Sequence, residues 1–280
     1  MQNLQRVGGD GGALFETRHT GSAIPTHAVV AGGFMKLIKG DCLEVMKDIP
    51  DKSIDMILCD LPYGTTACKW DVIIPFEPLW KEYKRIIKDN RAIVLTASQP
   101  FTSALVNSNL KMFKYEWIWE KTRCSNPFLA KHQPLRHHEN IVVFSKNKHP
   151  YYPTKTEGAS YTISSKSGGR VASDFKSNNK DFKGKNGKDR FPKSVIKFSN
   201  SSKEAGIHPT QKPVTLLEYL IKTYTLENET VLDNCMGSGS TGVACINTNR
   251  NFIGIEKDDK YFEIAKNRIE KAQQDVAPKV

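Results

Sequence analysis

At residues 54–63 the chain reads Ile-Asp-Met-Ile-Leu-Cys-Asp-Leu-Pro-Tyr. The run of mostly large apolar side chains predicts a buried strand, and the proline behind it predicts a turn. Asp60 would then lie at the carboxyl end of the strand, with the ring of Tyr63 beside it. Because ligands of parallel sheets bind outside the carboxyl ends of the strands, this stretch predicts both a central strand and a ligand site.

Strand and helix patterns alternate along most of the rest of the chain. Strands are predicted at residues 35–39, 54–59, 91–96, 115–120, 140–144, 230–232 and 251–256, and helices at 42–48, 76–88, 101–110, 214–225, 240–247 and 259–272. Alternation of this kind builds a mostly parallel sheet with helices on both faces. The sequence therefore predicts an α/β, Rossmann-like fold.

Composition narrows the class of protein. The chain has 280 residues, 39% of them hydrophobic, which suits a large globular domain. No apolar run approaches the roughly 20 residues of a membrane span, so no membrane partner is expected. The six cysteines form no CxxC pair and no metal-ligand spacing, which predicts reduced cysteines in a cytoplasmic protein without bound metal. The net charge of +11 points to a polyanionic partner.

Nearly all of this charge lies in one stretch. Residues 145–203 contain 14 Lys or Arg against four Asp or Glu, with seven aromatic residues interleaved. Such a run is commonly a solvated loop, but its length and aromatic content favour a surface for nucleic acid. The candidate phosphate contacts are Lys166, Arg170, Lys183, Lys185, Lys188 and Arg190.

A glycine-rich motif follows much later in the chain. Residues 233–242 read Asp-Asn-Cys-Met-Gly-Ser-Gly-Ser-Thr-Gly, between a predicted strand and a predicted helix. Gly237 and Gly239 let the backbone approach a nucleoside-bearing ligand, and Glu256 ends the next strand, where a carboxylate commonly binds ribose hydroxyls. Many such turns only pack a helix on a strand. No GK[ST] follows, which excludes a P-loop.

The tetrapeptide at residues 60–63 suits the methylation of an exocyclic amino group, which needs no covalent enzyme intermediate. The amino protons need acceptors, and Asp60 and a backbone carbonyl of the turn can supply them. Tyr63 can stack on the ring that carries the amino group, so that catalysis rests on alignment and on stabilising developing charge. On its own, the tetrapeptide is equally compatible with an Asp-capped proline turn.

Together these motifs resemble the permuted beta class of S-adenosylmethionine-dependent DNA amino methyltransferases, the N6-adenine/N4-cytosine family. That family has Asp-Pro-Pro-Tyr, a target-recognition region, His-Pro-Thr-Gln-Lys-Pro and Asp-Pro-Phe-x-Gly-Ser-Gly, in this order. The chain has Asp60-Leu61-Pro62-Tyr63, the basic stretch, His208-Pro209-Thr210-Gln211-Lys212-Pro213 and Asp233–Thr241, all within residues 35–272. Leu61, Asn234 and Cys235 depart from the pattern without removing a catalytic atom.

The resemblance implies roles for these residues, with S-adenosylmethionine as the cofactor. The catalytic residues would be Asp60, Leu61 through its carbonyl, Pro62 and Tyr63. The cofactor-binding residues would be Asp41, Cys42, His208, Thr210, Lys212, Asp233, Met236, Gly237, Ser238, Gly239, Ser240, Thr241 and Glu256. Both halves of the domain would meet at the carboxyl ends of four neighbouring strands.

The resemblance also implies a reaction and partners. In the family, Asp at the first position of the tetrapeptide accompanies adenine N6 methylation, whereas Ser accompanies cytosine N4 methylation. We therefore expect duplex DNA as the substrate, with the adenine flipped into the pocket and its second face held near residues 119–121 or by Phe128. A homodimer and a cognate restriction endonuclease are further partners of such enzymes, in the nucleoid of a bacterial cell or encoded by a phage.

Three other functions stay open at the level of sequence. One is cytosine N4 methylation of DNA. Another is methylation of RNA or of a protein side-chain amide, although the basic stretch argues against a protein substrate. The third is a catalytically degenerate DNA-binding protein, which the departures at Leu61 and Cys235 motivate. Cys59 is interpreted as a packing residue, and residues 137–139 as a polar group at a strand entry, with a position at the mouth of the pocket as the alternative.

The expected domains follow the motifs. Residues 1–34 are glycine-rich and without periodicity, which predicts a disordered extension, with a transit peptide as the alternative. Residues 35–144 would form the catalytic half of the methyltransferase domain and 145–207 the target-recognition insertion. Residues 208–272 would form the cofactor-binding half, and 273–280 a tail.

Overall fold

The computed structural model describes residues 14–16, 34–66, 68, 71–159, 161–164, 183–186, 188–200 and 211–276. Its strands are β1 (Leu14–Glu16), β2 (Met35–Lys39), β3 (Ile54–Asp60), β4 (Ile87–Ala97), β5 (Phe113–Lys121), β6 (His138–Phe144), β7 (Thr156–Glu157), β8 (Tyr161–Ser164), β9 (Lys183–Asn186), β10 (Asp189–Arg190), β11 (Val195–Phe198), β12 (Thr230–Asp233) and β13 (Asn251–Glu256). Its helices are α1 (Cys42–Val45), α2 (Phe76–Ile86), α3 (Phe101–Ser108), α4 (Val214–Tyr224), α5 (Ser240–Asn247) and α6 (Asp259–Val276), with 3-10 turns at Met46–Asp48 and Pro127–Leu129. Every predicted strand and helix is present.

Nine strands form one sheet in the order β1-β2-β13-β12-β3-β4-β6-β5-β11. Within the described residues, β6 alone runs antiparallel to its neighbours in this sheet. The α/β, mostly parallel fold predicted from the alternating pattern is therefore confirmed.

The central strand β3 is buried on both faces, as its continuous apolar run predicts. Because side chains alternate along a strand, Met56 and Leu58 join the cluster that packs under α4, α5 and α6. Ile57 and Cys59 point the other way and join the cluster beneath α1, α2 and α3. Two apolar layers thus hold β3, and with it Asp60, in the middle of the large sheet.

The two halves of the chain meet in four neighbouring strands of the sheet. Strands β2 and β3 come from the first half, β12 and β13 from the second, and all four are neighbours in the order β2-β13-β12-β3. Their carboxyl ends bring together four acidic residues from distant parts of the sequence, which are Asp41, Glu256, Asp233 and Asp60. This arrangement is the one that the order of the motifs implied.

At the amino-terminal ends of the central strands, charged side chains connect neighbouring strands. Asp55 is buried, accepts hydrogen bonds from Lys88 at 2.8 Å, and also accepts from the backbone N–H of Thr230 at 3.0 Å. Arg91 pairs with both Asp55 and Glu229. Because β3, β4 and the start of β12 share these contacts, the ion pairs help to fix the register of the strands whose carboxyl ends form the site.

Six short strands lie where the sequence predicted none, and two of them, β1 and β11, join the large sheet. Strand β1 falls inside the extension at residues 1–34 and pairs in parallel with β2. Strand β11 falls inside the predicted insertion, yet it pairs in parallel with β5, and the Phe198 carbonyl accepts a hydrogen bond from Trp119 at 2.9 Å. Both segments, of three and four residues, are too short for a period-two pattern to stand out, and neighbouring strands order them.

Residues Pro153–Lys193 form a separate compact unit. Its described part consists of two antiparallel pairs, β7 with β10 and β8 with β9. Lys155 pairs with Asp189 at 3.3 Å and stands over the ring of Phe191. No helix in the described ranges is long and apolar enough to cross a membrane.

Candidate active site

A cavity of about 1240 Å³ opens at the carboxyl ends of the four neighbouring strands. It exceeds the roughly 1,000 Å³ at the upper end of single small-molecule sites, so it has room for more than one ligand. Its lining combines both sequence motifs, including Asp60–Tyr63 from the first half and Asp233–Ser238 from the second.

Asp233 holds the start of the glycine-rich turn. Its Oδ1 accepts a hydrogen bond from the backbone N–H of Cys235 at 3.1 Å, and its Oδ2 accepts one from the Thr241 hydroxyl at 2.6 Å. Burial raises the pKa of Asp233 to about 6, although these hydrogen bonds act in the opposite direction. The carboxyl group therefore joins strand β12 to helix α5 across the turn.

Glu256 is bound by backbone amides from two segments. Its Oε2 accepts from the N–H of Gly237 at 2.9 Å, and its Oε1 accepts from the N–H groups of Lys257 and Asp258. Burial raises the pKa of Glu256, and the three amides partly offset this effect. Gly239 has a φ of +80° and a Cβ there would meet Ala265 at 2.9 Å, so glycine is required where the turn enters α5.

Asp41 forms the outer wall on the β2 side. It caps α1 by accepting from the N–H of Leu43 at 3.0 Å, and it also accepts from Lys257 at 3.0 Å. Burial acts to raise the pKa of Asp41, but the hydrogen bond and charge of Lys257 outweigh it and lower the pKa. Asp41 thus presents an ionised carboxylate at the rim of the cavity.

Asn234 and Cys235 stand where the family pattern has proline and phenylalanine. The Asn234 side chain accepts a hydrogen bond from the buried Tyr83 hydroxyl at 2.6 Å, which anchors the turn to helix α2. Cys235 packs against the apolar cluster of that face. Burial also raises the pKa of the nearby Cys59 thiol to about 12, in keeping with packing and not with a nucleophile.

Asp60 is fixed at the floor of the cavity by three donors. Its Oδ2 accepts from Lys212 at 2.6 Å, and its Oδ1 accepts from the Tyr63 hydroxyl at 2.8 Å and from Thr96. Lys212 is buried; burial opposes its charge, yet the negative charges of Asp60 and Glu139 raise the pKa of its ammonium group. Asp60 therefore faces a lysine that stays protonated.

The ion pair continues away from Asp60. Lys212 also lies 3.5 Å from Glu139 Oε2, and Glu139 Oε1 accepts a hydrogen bond from the buried Lys121 at 3.0 Å. Lys121 in turn donates to Ser125. We call Asp60, Lys212, Glu139 and Lys121 the charge chain. Its two carboxylates and two ammonium groups alternate, so each buried charge has a partner of opposite sign.

Tyr63 takes part in the same cluster. Its ring stacks on Phe101 with centroids 5.1 Å apart, and the Lys212 ammonium lies 5.6 Å from its centroid. Burial, with the nearby charge of Asp60 second, raises the pKa of its hydroxyl. Leu61, which replaces the first proline of the family pattern, is buried in the cluster beneath α1, α2 and α3.

Residues 54–267 match the family model of the N6/N4 DNA methylases. The chain belongs to this DNA methylase family. Among curated relatives, the type II methyltransferase M2.LlaDCHI of Lactococcus lactis subsp. cremoris is 30% identical, over 84% of this chain and 89% of its own length. The type II methyltransferase M.HpaI of Haemophilus parainfluenzae is 27% identical, over 84% of this chain and 74% of its own.

Solved structures of this DNA methylase fold agree with the match. The M1.HpyAVI–S-adenosylmethionine complex superposes with a TM-score of 0.58 and 26% identity, covering 84% of this chain and 99% of that one. The cytosine-N4-specific PvuII DNA methyltransferase reaches a TM-score of 0.57 at 14% identity, covering 86% and 92%, and supports the fold alone.

The donor set of the cavity fits S-adenosylmethionine, the predicted cofactor. An amino-acid ammonium group and ribose hydroxyls need carboxylates, and Asp233, Glu256 and Asp41 end three adjacent strands there. A purine needs an apolar, partly polar slot, which the neighbouring Cys42 and Met236 can line. The family match and the M1.HpyAVI complex agree with this assignment.

The structure brings most of the predicted site residues of this DNA methylase together. Those that line the cavity are Asp60, Leu61, Pro62, Tyr63, Asp41, Cys42, Lys212, Asp233, Met236, Gly237, Ser238, Ser240, Thr241 and Glu256. Gly239 shapes the turn without lining the cavity. His208 and Thr210 lie outside the described residues.

The predicted phosphate contacts are described less fully. Lys188 and Arg190 lie in the compact unit at 153–193, and Arg190 bonds to the carbonyl of Ala159. Lys183 and Lys185 belong to β9, which the structure describes by its backbone. Lys166 and Arg170 lie outside the described residues. All six stay predictions.

Sequence reasoning missed two members of the charge chain. Glu139 was interpreted as part of a strand-entry group, with the pocket mouth as the alternative, and Lys121 was considered only as a neighbour of the flipped base; the structure places both in the cavity lining. Glu139 and Lys121 pair because β5 and β6 are antiparallel neighbours, in register at Trp119 and Glu139. An acid on one of two adjacent strands and a lysine on the other was the available signal, but the pairing of the strands was not foreseen.

Proposed function

We propose that this DNA methylase transfers the methyl group of S-adenosylmethionine to the N6 amino group of adenine in duplex DNA, after the base is flipped out of the helix. The observation that carries the proposal is the position of Asp60. Its carboxylate lies on the floor of a cavity that also contains the glycine-rich turn, and a buried lysine fixes it there. A hydrogen-bond acceptor for an amino group and a turn suited to the cofactor thus line the same cavity.

The residues of the second half would hold the cofactor. Asp233 and the backbone of residues 237–241 would bind its methionine part, Glu256 its ribose, and Asp41 with Cys42 its adenine. When bound, S-adenosylmethionine supplies an electrophilic methyl group. The Asp41–Lys257 and Glu256–amide contacts set these carboxylates in place before binding, so little reordering is required.

The residues of the first half would orient the amino group of the base. Asp60 would accept a hydrogen bond from one amino proton, and the Leu61 carbonyl would accept from the other. This arrangement turns the nitrogen lone pair toward the methyl donor and stabilises the positive charge that develops on nitrogen during transfer. The Asp60 carboxylate can then take the proton that the amino group loses.

Lys212 would act on this reaction through Asp60. It was assigned to cofactor binding from the sequence, but its ammonium group contacts the carboxylates of Asp60 and Glu139. We therefore assign it the role of a positioning residue. Tyr63 would present its ring to the base. Its ring stacks on Phe101, so the base would have to stack on the other face of Tyr63 or take the place of Phe101.

The choice of adenine rests on the identity of residue 60. An Asp in the tetrapeptide accompanies adenine in the family, and the cavity offers this carboxylate directly. The proposal is tested with purified protein, S-adenosylmethionine and plasmid DNA from methylation-deficient cells, followed by nucleoside mass spectrometry. N6-methyldeoxyadenosine is expected. N4-methyldeoxycytidine instead would overturn the choice of base, and no methylated nucleoside would overturn the enzymatic assignment.

The partners beyond DNA are also proposals. M2.LlaDCHI and M.HpaI are named type II methyltransferases, which supports a restriction endonuclease as the partner of this protein in a bacterial cell. A homodimer is proposed from the family resemblance. Light scattering of the purified protein with and without duplex DNA tests the dimer, and a mass of about 31.5 kDa for the free protein together with one chain per duplex in the complex would contradict it.

A further inference from the structure

The segment between β5 and β6, residues 122–137, forms a cationic rim beside the cavity. We call it the rim loop. It contains Arg123, Lys131 and Arg136 and two histidines, and no Asp or Glu. Cys124, Ser125 and Arg136 of this loop line the cavity. The rim loop thus belongs to the larger unit and precedes the basic stretch in sequence, and Asn200 of that stretch bonds to the backbone of Arg123.

The tip of the rim loop exposes an aromatic side chain. Phe128 is 96% exposed, the highest value of any large hydrophobic side chain among the described residues, and Leu129 and Leu135 beside it are also exposed. Phe128 does not line the cavity, whereas Trp119 and Lys121 do. It therefore lies outside the cavity, in a loop that lines it through Cys124, Ser125 and Arg136, and it is unsuited to hold the second face of a base inside the pocket.

Hydrogen bonds within the loop hold this exposed position. The Asn126 side chain donates to the carbonyl of Pro134 at 3.1 Å and accepts from the N–H of Arg136 at 2.6 Å. The N–H of Ser125 donates to the carbonyl of Arg136 at 3.0 Å, and a 3-10 turn at Pro127–Leu129 forms the tip. The loop is thus closed across its base, with Phe128 presented outward.

The charges of the rim loop indicate the kind of partner that Phe128 contacts. Arg123 and Lys131 form no ion pair with any carboxylate in the described part of the chain, and Arg136 donates its guanidinium only to Ser98 there. An exposed aromatic ring in a loop that also carries Arg123 and Lys131 is complementary to nucleic acid, because cations contact phosphates and the ring stacks on bases. A protein partner would need acidic residues around an apolar pocket.

We propose that the rim loop enters the DNA at the target base pair and that Phe128 fills the space left by the flipped base. The inference rests on the proposed function, since only an extruded base leaves such a space. Stacking of Phe128 on the neighbouring bases would offset part of the lost base stacking, and apolar wedges act in this way in other DNA-binding proteins. Arg123 and Lys131 would contact phosphates on either side.

The test compares two duplexes that contain the recognition site, once sequencing of DNA from expressing cells has defined it. In one duplex the target base is normally paired, and in the other it lies opposite an abasic residue, which removes the cost of breaking the pair. Full-length wild type, Phe128→Ala and Phe128→Trp are compared in single-turnover methylation. Leu110→Ala is the matched control, because Leu110 is 61% exposed and does not line the cavity.

Phe128→Ala is expected to lose about 10- to 100-fold in rate on the paired duplex, the size of one base–aromatic stacking contact. It should recover to within about threefold of wild type on the abasic duplex. Phe128→Trp and Leu110→Ala should match wild type on both, and S-adenosylmethionine should bind all four proteins equally. If Phe128 only stabilised the fold, Phe128→Ala would not regain its methylation rate on the abasic duplex alone.

Two results would overturn the inference while the proposed function stands. In one, Phe128→Ala matches wild type on the paired duplex. In the other, it loses the same factor on both duplexes, which would indicate a contact unrelated to extrusion. Wild-type protein that methylates neither duplex would instead remove the proposed function, and this inference with it.

Discussion

At the scale of the residue, Asp60 and Lys212 define the site. They lie 152 positions apart in the chain, yet their side chains meet at 2.6 Å in a largely buried setting. A buried ion pair of this kind does little for stability on balance, but the loss of one partner leaves a charge without compensation. We therefore interpret the pair as a device that sets the orientation of Asp60.

This interpretation predicts how Lys212→Gln behaves. The substitution should lower the single-turnover rate by about 100-fold, the cost of a small misplacement at a reacting centre. The Kd for S-adenosylmethionine, measured by calorimetry, should stay at the wild-type value. Lys47→Gln, at an exposed lysine paired with Glu44, serves as the control and should change neither. Weaker binding of S-adenosylmethionine with an unchanged methylation rate would instead assign Lys212 to cofactor binding.

Asp233 predicts a pH dependence of stability. Its pKa is raised to about 6 in the fold, against 3.8 in the unfolded chain, so the folded state retains a proton that the unfolded state has released between these values. Its contribution is therefore full below pH 3.8 and is lost as the pH rises through 6. The loss is about 3 kcal/mol in all.

Urea denaturation from pH 4 to pH 8 tests this sign. The free energy of unfolding of Asp233→Asn, relative to wild type, should rise by about 2.4 kcal/mol over this range, because asparagine has no proton to lose. A difference that stays flat with pH would show that the Asp233 carboxyl group is not destabilised by burial.

At the scale of the element, helix α5 depends on close contact with its neighbours. A Cβ on Gly242 would lie 2.4 Å from Ile269 Cδ1 and 2.9 Å from the ring of Phe252. Glycine inside a helix normally costs about 1 kcal/mol relative to alanine. Here it is retained because it lets α5 approach both α6 and β13, which places the glycine-rich turn.

Gly242→Ala should therefore destabilise the protein by about 1–3 kcal/mol, in spite of its better helix propensity. Ile269→Val removes the methyl group that the new Cβ would contact, so the double variant should recover part of the loss. Thermal and urea unfolding measure both effects. A more stable Gly242→Ala protein would mean that the contact relaxes without cost.

The elements were also the best predicted level of the structure. The strands and helices between residues 35 and 144 and between 214 and 272 follow from hydrophobic period and turn residues, since each of these signals is local. Strand β11 and the pairing of Glu139 with Lys121 were not predicted, because they depend on which strands become neighbours. The contact between Tyr63 and Phe101 was missed for the same reason.

At the scale of the whole molecule, the basic stretch is predicted to supply affinity for DNA. Replacing Lys183, Lys185, Lys188 and Arg190 with alanine should make the dependence of log K on log salt shallower by about 3 to 4, since each phosphate contact contributes about 0.9. Filter binding between low and high salt measures the slope. Four exposed lysines elsewhere form the control set, namely Lys81, Lys84, Lys111 and Lys114, and their replacement should leave the slope unchanged.

In the proposed reaction Asp60 accepts a hydrogen bond from the amino group of the target base, and the methylation rate of Asp60→Asn decides whether it does. Asp60→Asn keeps an oxygen near Lys212 but removes the carboxylate, whereas the exposed Asp89→Asn serves as the control. Single-turnover methylation of duplex DNA should fall by about 100- to 1,000-fold in Asp60→Asn, with the Kd for S-adenosylmethionine unchanged. A wild-type rate in Asp60→Asn would contradict the account.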